Sequence, residues 1–131
     1  MADTPTDSSA DASSDVPVKI AERGDWTVLR ITEPSLMDVA VIEQLNEQVE
    51  AQLSAGRRKL VLDFKHVQYI SSSMVGVLVA TNQSVKKAKG QLILCALNER
   101  LLELLKLTRL DKMFTVEPDA RSALKSVGAV Q

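Results

Sequence analysis

Three hydroxyls stand in a row at Ser71-Ser72-Ser73, where an apolar strand-like run gives way to a helical pattern. A serine at such a junction has two uses. Its oxygen accepts a backbone N–H and caps the helix, or its exposed hydroxyl serves as a regulatory group on the first turn of a partner-binding helix. Nucleophilic catalysis is a poor third, because nothing recognisable stands by to activate the triplet. The single histidine, His66, sits beside Lys65 in a loop without a nucleophile and carboxylate to work with. The single cysteine, Cys95, lies inside Leu92-Ile93-Leu94-Cys95-Ala96-Leu97, which predicts a buried, inert thiol and excludes an intramolecular disulfide. Gly76 lacks the companion glycines of a phosphate loop, and neither metal-ligand spacing nor a Gly-x-Ser-x-Gly elbow occurs. The residues point away from an enzyme and imply no cofactor and no metal.

Past the serines, Val75, Leu78, Val79 and Val85 share one helical face, interrupted by Asn82. Met74, Val77 and Thr81 mark an adjoining face, also free of charge. The first stripe suffices to face a core, so the second is expected to be partner surface.

The rest of the chain supplies the scaffold. Val18 to Glu22 and Trp26 to Ile31 read as an antiparallel hairpin turned at Arg23-Gly24-Asp25, with Gly24 supplying a positive φ. After Pro34, Ser35 with Asp38 fits a capping box, or Asp38 is itself the cap. Val41, Ile42, Leu45, Val49 and Leu53 then form an apolar stripe ending near Gly56. Leu60 to Phe64 is a buried strand, and the serine helix follows it, with Lys86 and Lys87 suiting its negative end and Gly90 its left-handed cap. Gln91 to Leu97 is the next strand. Asn98 caps a third helix that turns Leu101, Leu102, Leu104, Leu105 and Thr108 inward. Lys112 to Val116 is a short last strand, and Pro118 at N1 opens a helix through Ala120, Ala123, Leu124 and Val127 that closes at Gly128. The order β-β-α-β-α-β-α-β-α predicts an α/β fold: one mixed, mainly parallel sheet with helices on at least one face.

With 131 residues the chain has room for one domain. Residues 1–17 differ in kind, holding Asp3, Asp7, Asp11 and Asp15 with no Lys or Arg, and are expected to form a disordered acidic tail ahead of a domain over residues 18–131. Removing those four aspartates from the net charge of −1 leaves +3, too little to imply a polyanionic partner. No basic stripe interleaved with aromatics suggests nucleic acid. No apolar run approaches the ~20 residues that span a bilayer, and no secretory leader opens the sequence. The expectation is a cytoplasmic monomer that inserts in no membrane.

Four stretches together resemble the STAS domains, specifically the anti-sigma-factor antagonists: Leu60 to Phe64, the serine junction, Lys89 to Cys95, and Leu107 to Phe114. The resemblance runs from about Val18 to about Val127, and its fold agrees with the element order above. Asp38 stands where the family has an acidic residue just ahead of its first helix. The family's junction, Asp-Ser-Ser/Thr-Gly-Leu-Gly, places its Asp at Ser71, its first serine at Ser72 and its second hydroxyl at Ser73. Gly, Leu and Gly fall at Met74, Val75 and Gly76. The resemblance thus implies that Ser72, or alternatively Ser73, is phosphorylated by an anti-sigma serine/threonine kinase. It implies a contact surface made of Asp38, Ser71, Ser72, Ser73, Met74, Val77 and Thr81. Ser71 for Asp and Met74 for Gly are departures from the pattern, and Arg109 stands where a glycine is common. The implied function is a partner-switching antagonist that frees a sigma factor. The alternative is an unphosphorylated STAS module of a stress-sensing or lipid-transport complex.

Overall fold

The computed structural model describes residues 17–127. The acidic tail, apart from Pro17, and Gly128, the expected end of the last helix, lie outside the described residues.

Apolar runs buried on both faces build the middle of the sheet, and its two edge strands are largely exposed or half-buried. Strands β1 (Val18–Arg23), β2 (Trp26–Ile31), β4 (Lys59–Asp63), β6 (Gln91–Cys95) and β7 (Thr115–Glu117) lie in the order β1-β2-β4-β6-β7. β1 and β2 are antiparallel, joined by a two-residue loop between the partners Arg23 and Trp26 with Gly24 at φ 61°. All other neighbours are parallel, with Leu29, Leu62 and Leu94 aligned across three strands. A second, two-stranded sheet pairs β3 (Ser35–Leu36) with β5 (Tyr69–Ile70). Both strands are too short to show a period in the sequence.

Helices cover both faces. Helix α1 (Val39–Ser54), α2 (Ser72–Lys87) and α3 (Glu99–Leu107) pack Ile42, Leu45, Leu78, Val85, Leu101 and Leu105 onto the face carrying Leu29, Leu60, Leu62 and Leu94. The other face, with Trp26, Val28, Val61, Ile93 and Cys95, is closed by Ala123 of α4 (Ala120–Ser126). Alternation within a strand feeds both layers, which is why β4 and β6 read as unbroken apolar runs.

Several local expectations shift. The left-handed residue after α2 is Lys89, at φ 61°, not Gly90. Gly90 is needed for a different reason: a Cβ there would stand 2.1 Å from the Arg58 carbonyl oxygen. The last helix is capped by Asp119, whose carboxylate accepts the Ser122 amide at 2.7 Å, so Pro118 stands before the cap rather than at N1. Turn hydrogen bonds from Met113 and Phe114 back to Leu110 hold the start of the expected last strand out of the sheet, and β7 begins at Thr115. Thr108 is exposed, its hydroxyl donating back to Leu104 at 2.8 Å as α3 ends. Arg109 has φ 61°, the left-handed conformation that favours glycine.

Candidate functional site at the head of α2

The parallel pair β3–β5 sets the site. Leu36 and Ile70 are register partners, so Asp38 and Ser72 each stand two residues beyond that pair, and α1 and α2 begin side by side. Asp38 is the cap of α1, with its carboxylate accepting the Ala40 amide at 2.8 Å. This selects Asp38 over the Ser35 capping box. Asn98, the cap of α3, donates to the Gln68 carbonyl at 3.4 Å and draws a third helix start to the same end of the sheet.

Within the triplet the three serines differ. Ser71 is extended (φ −90°, ψ 166°) and is the N-cap: its Oγ accepts the Met74 amide at 3.1 Å. Its own amide donates to the Leu36 carbonyl at 3.1 Å, tying α2 to the small sheet. Ser72 is the first helical residue and Ser73 the second, and both are exposed. A helix start leaves backbone N–H groups without intrahelical acceptors and carries a partial positive charge. The first turn of α2 contains no acidic side chain to use that charge.

The expected partner face Met74/Val77/Thr81 is a correction. Met74 is 1% exposed and Thr81 2% exposed, while Val77 is half-buried against the same core. α2 has α1 along its flank as well as the sheet below. A helix packed on two sides needs a wider apolar arc than one stripe, so the second stripe is core too. Val79, expected inward, is only half-buried. The exposed face is instead Ser72, Ser73, Gly76, Ala80 and Gln83. Gly76 lies on this exposed face, outside the expected contact set. A Cβ there would meet nothing within 4 Å, so no internal packing requires the glycine. Glycine inside a helix costs about 0.5–1 kcal/mol relative to alanine. A mid-helix glycine on the serine side of α2 was the available signal.

Beside the site lies an apolar groove of about 620 Å³ lined by Met37, Tyr69, Ile70, Leu104 and Leu107, with Met37 56% and Leu107 76% exposed. The Arg100 guanidinium stands 4.6 Å from the centroid of the Tyr69 ring. At the end of β4, Asp63 is buried with its carboxylate accepting Arg30 Nε at 3.1 Å and the Lys65 amide at 2.9 Å. Both charges are thereby answered, leaving that carboxylate a structural role. Cys95 is fully buried, and desolvation foremost, then the Asp63 charge, pushes its thiol up to about 12. His66 is exposed. Among the described residues no group of three or more His, Cys, Asp or Glu is placed to hold a metal, and no helix is long and apolar enough to cross a membrane.

Known proteins match this arrangement. The STAS domain family model matches residues 17–123. BtrV of Bordetella bronchiseptica, proposed by its name as an anti-sigma factor antagonist, is 28% identical over 88 residues, which cover 67% of this chain and 76% of BtrV. A Thermotoga maritima structure described in similar terms superposes with TM-score 0.75 at 24% identity, covering 87% of this chain and 95% of that one. Bacillus SpoIIAA, a cell fate determinant solved in its phosphorylated form, gives TM-score 0.65 at 17% identity, over 84% of this chain and 96% of its own. These structures share the fold: a mixed, mostly parallel sheet flanked by helices. With the family model spanning nearly all the described residues, the chain belongs to the STAS domain family, whose relatives named as anti-sigma factor antagonists are regulators rather than enzymes.

Proposed function

We propose that this protein is an anti-sigma-factor antagonist that binds an anti-sigma serine/threonine kinase through the head of α2 and is released when that kinase phosphorylates Ser72. One observation carries the reading: Ser71 does the capping, so the exposed Ser72 hydroxyl at the first helical position is free of that duty. The names of its relatives and the existence of SpoIIAA in a phosphorylated form support the same reading.

The chemistry follows from the position. A phosphate at Ser72 adds a charge of about −1.5 to −2 at a positive helix end, so the fold tolerates it. Its effect falls on the contact. The face offered to a partner is small and uncharged, from Ser73 through Gly76 to Ala80, and the apolar groove alongside suits a protein partner. A dianion planted there must be desolvated or face the partner's acids, and each ~1.4 kcal/mol of that penalty weakens binding tenfold. Ser73 stands one position deeper and is the alternative acceptor.

The test is capture of the tagged full chain from lysate of its native cells, with and without ATP, followed by mass spectrometry. The expected result is a co-purified serine kinase, retained without ATP and lost with it, and phosphate on Ser72. Phosphate confined to other residues, or retention of the kinase while Ser72 is fully phosphorylated, contradicts the proposal.

A further inference from the structure

The domain's small net charge is not spread evenly. Strands β2, β4 and β6 are parallel, with Thr27 beside Leu60 and Lys59 beside Gln91, so all three begin at one end of the sheet. Helices α1 and α2 finish at that end, a short turn before β4 and β6. The turn into β4 carries Arg57, Arg58 and Lys59, and the close of α2 carries Lys86, Lys87 and Lys89, all exposed. The β1–β2 hairpin adds Arg23 with Glu22 and Asp25, and the approach to β7 adds Arg109 and Lys112 with Asp111. Among the described residues, the acids paired here are Glu22, with Arg57 at 2.7 Å, and Asp25, with Lys59 at 4.0 Å. The ends of α1 and α2 each contribute about half a negative charge. This end stays clearly positive, and Arg57, Arg58, Lys59 and Lys89 line a cleft of about 740 Å³ in it.

Lys89 holds its charge at a conformational cost. Its φ of 61° is the left-handed conformation in which glycine is the easier residue. The spread of the cations suits a surface better than a small anion. They come from the starts of three neighbouring strands, spaced about 4.8 Å apart, and long side chains fan out from them. No apolar or aromatic side chain lines the cleft. It therefore offers neither the desolvated apolar centre of a protein interface nor a platform on which nucleic-acid bases stack. An anionic lipid leaflet requires neither, because it attracts clusters of about four to eight Lys and Arg by charge alone. The length of α2 sets the orientation, with Ser72 about 23 Å from Lys87.

We propose that the end of the domain bearing Arg57, Arg58, Lys59, Lys86, Lys87 and Lys89 rests on an anionic lipid bilayer. The contact is peripheral and electrostatic, so it loosens with salt. It holds Ser72 at the far end of α2, turned away from the lipid and open to a protein partner. The inference goes beyond the function proposed above and uses none of the residues at the head of α2.

Co-sedimentation of the full chain with lipid vesicles at low salt tests this. The vesicles are phosphatidylcholine alone, or an equal mixture of phosphatidylcholine and phosphatidylglycerol. Binding is expected on the mixed vesicles only and should vanish near 1 M NaCl, where the Debye length is about 3 Å. Lys86→Gln, Lys87→Gln and Lys89→Gln together, with native circular dichroism, should weaken it by about tenfold or more. Lys19→Gln, Lys65→Gln and Arg121→Gln together remove the same charge away from this end and should stay within about threefold of the parent. Equal binding to both vesicle types, binding that survives 1 M NaCl, or equal losses in the two triple variants overturns the proposal. So does a failure to sediment with the mixed vesicles. Retention on polyglutamate or on duplex DNA in that case assigns the patch to an acidic protein segment or to nucleic acid instead.

Discussion

The Ser71 hydroxyl accepts the Met74 amide at 3.1 Å, and this bond divides the serine triplet into a structural residue and an exposed pair. Ser71→Ala should therefore cost about 1 kcal/mol of stability, as loss of an N-cap does, while Ser72→Ala stays within ~0.5 kcal/mol of the parent. Ser71→Asp keeps a capping oxygen and adds a charge favoured by about 0.3–1 kcal/mol at the helix start. Denaturant unfolding of the three variants checks this. Equal losses for Ser71→Ala and Ser72→Ala would mean that the two serines share the cap.

Gly76 separates stability from binding. Gly76→Ala should stabilise the fold by about 0.5–1 kcal/mol, since the helix gains propensity and the added methyl meets nothing. The same methyl should weaken the kinase complex by obstructing close approach to the face of Ser72 and Ser73. A variant that is stabilised yet binds like the parent would remove Gly76 from the contact.

Met74 belongs to the core, and its variants should behave accordingly. Met74→Ala removes a side chain that is 1% exposed, which predicts a loss of about 2–5 kcal/mol. A loss under 1 kcal/mol in thermal or denaturant unfolding would return this face to the surface.

Cys95 predicts a pH dependence with a defined sign. Burial raises its thiol from 9.0 to about 12 in the folded chain. Between those values the unfolded chain releases this proton and the folded chain holds it. Stability contributed by the neutral thiol is thus intact below pH 9 and falls as pH rises, by up to about 1.4 kcal/mol per pH unit. Comparing the parent with Cys95→Ala between pH 8 and pH 10.5 isolates it, because the steeper decline should belong to the parent. Parallel curves would contradict the assignment.

What the sequence disclosed followed the strength of its periodic signals. The hairpin, the buried strands and three helix stripes repeat long enough to be read, and β4 and β6 announce themselves as apolar runs. The pair β3–β5 spans two residues each, shorter than any period, yet it sets Asp38 and Ser72 each two residues beyond the register pair Leu36 and Ile70. The resemblance had already named both residues, and the pair supplies the reason that the two helices they open start at the same end of the sheet. The face of α2 was misjudged because residue type reports apolarity, whereas a flanking helix decides how wide an apolar arc is buried. Met74 and Thr81 fell on the wrong side of that line. Gly90 was read as a conformational device, but its need is steric and comes from Arg58, 32 residues earlier in the chain.

The central claim is that a negative charge at Ser72 breaks partner binding without harming the fold. The most direct measurement is the affinity of the captured kinase for the parent, Ser72→Ala and Ser72→Asp, each first shown to have native circular dichroism. The account predicts parent-like affinity for Ser72→Ala and at least a tenfold loss for Ser72→Asp, the equivalent of about 1.4 kcal/mol. Parent-like affinity for Ser72→Asp, together with no phosphate on Ser72 after incubation with the kinase and ATP, would contradict it.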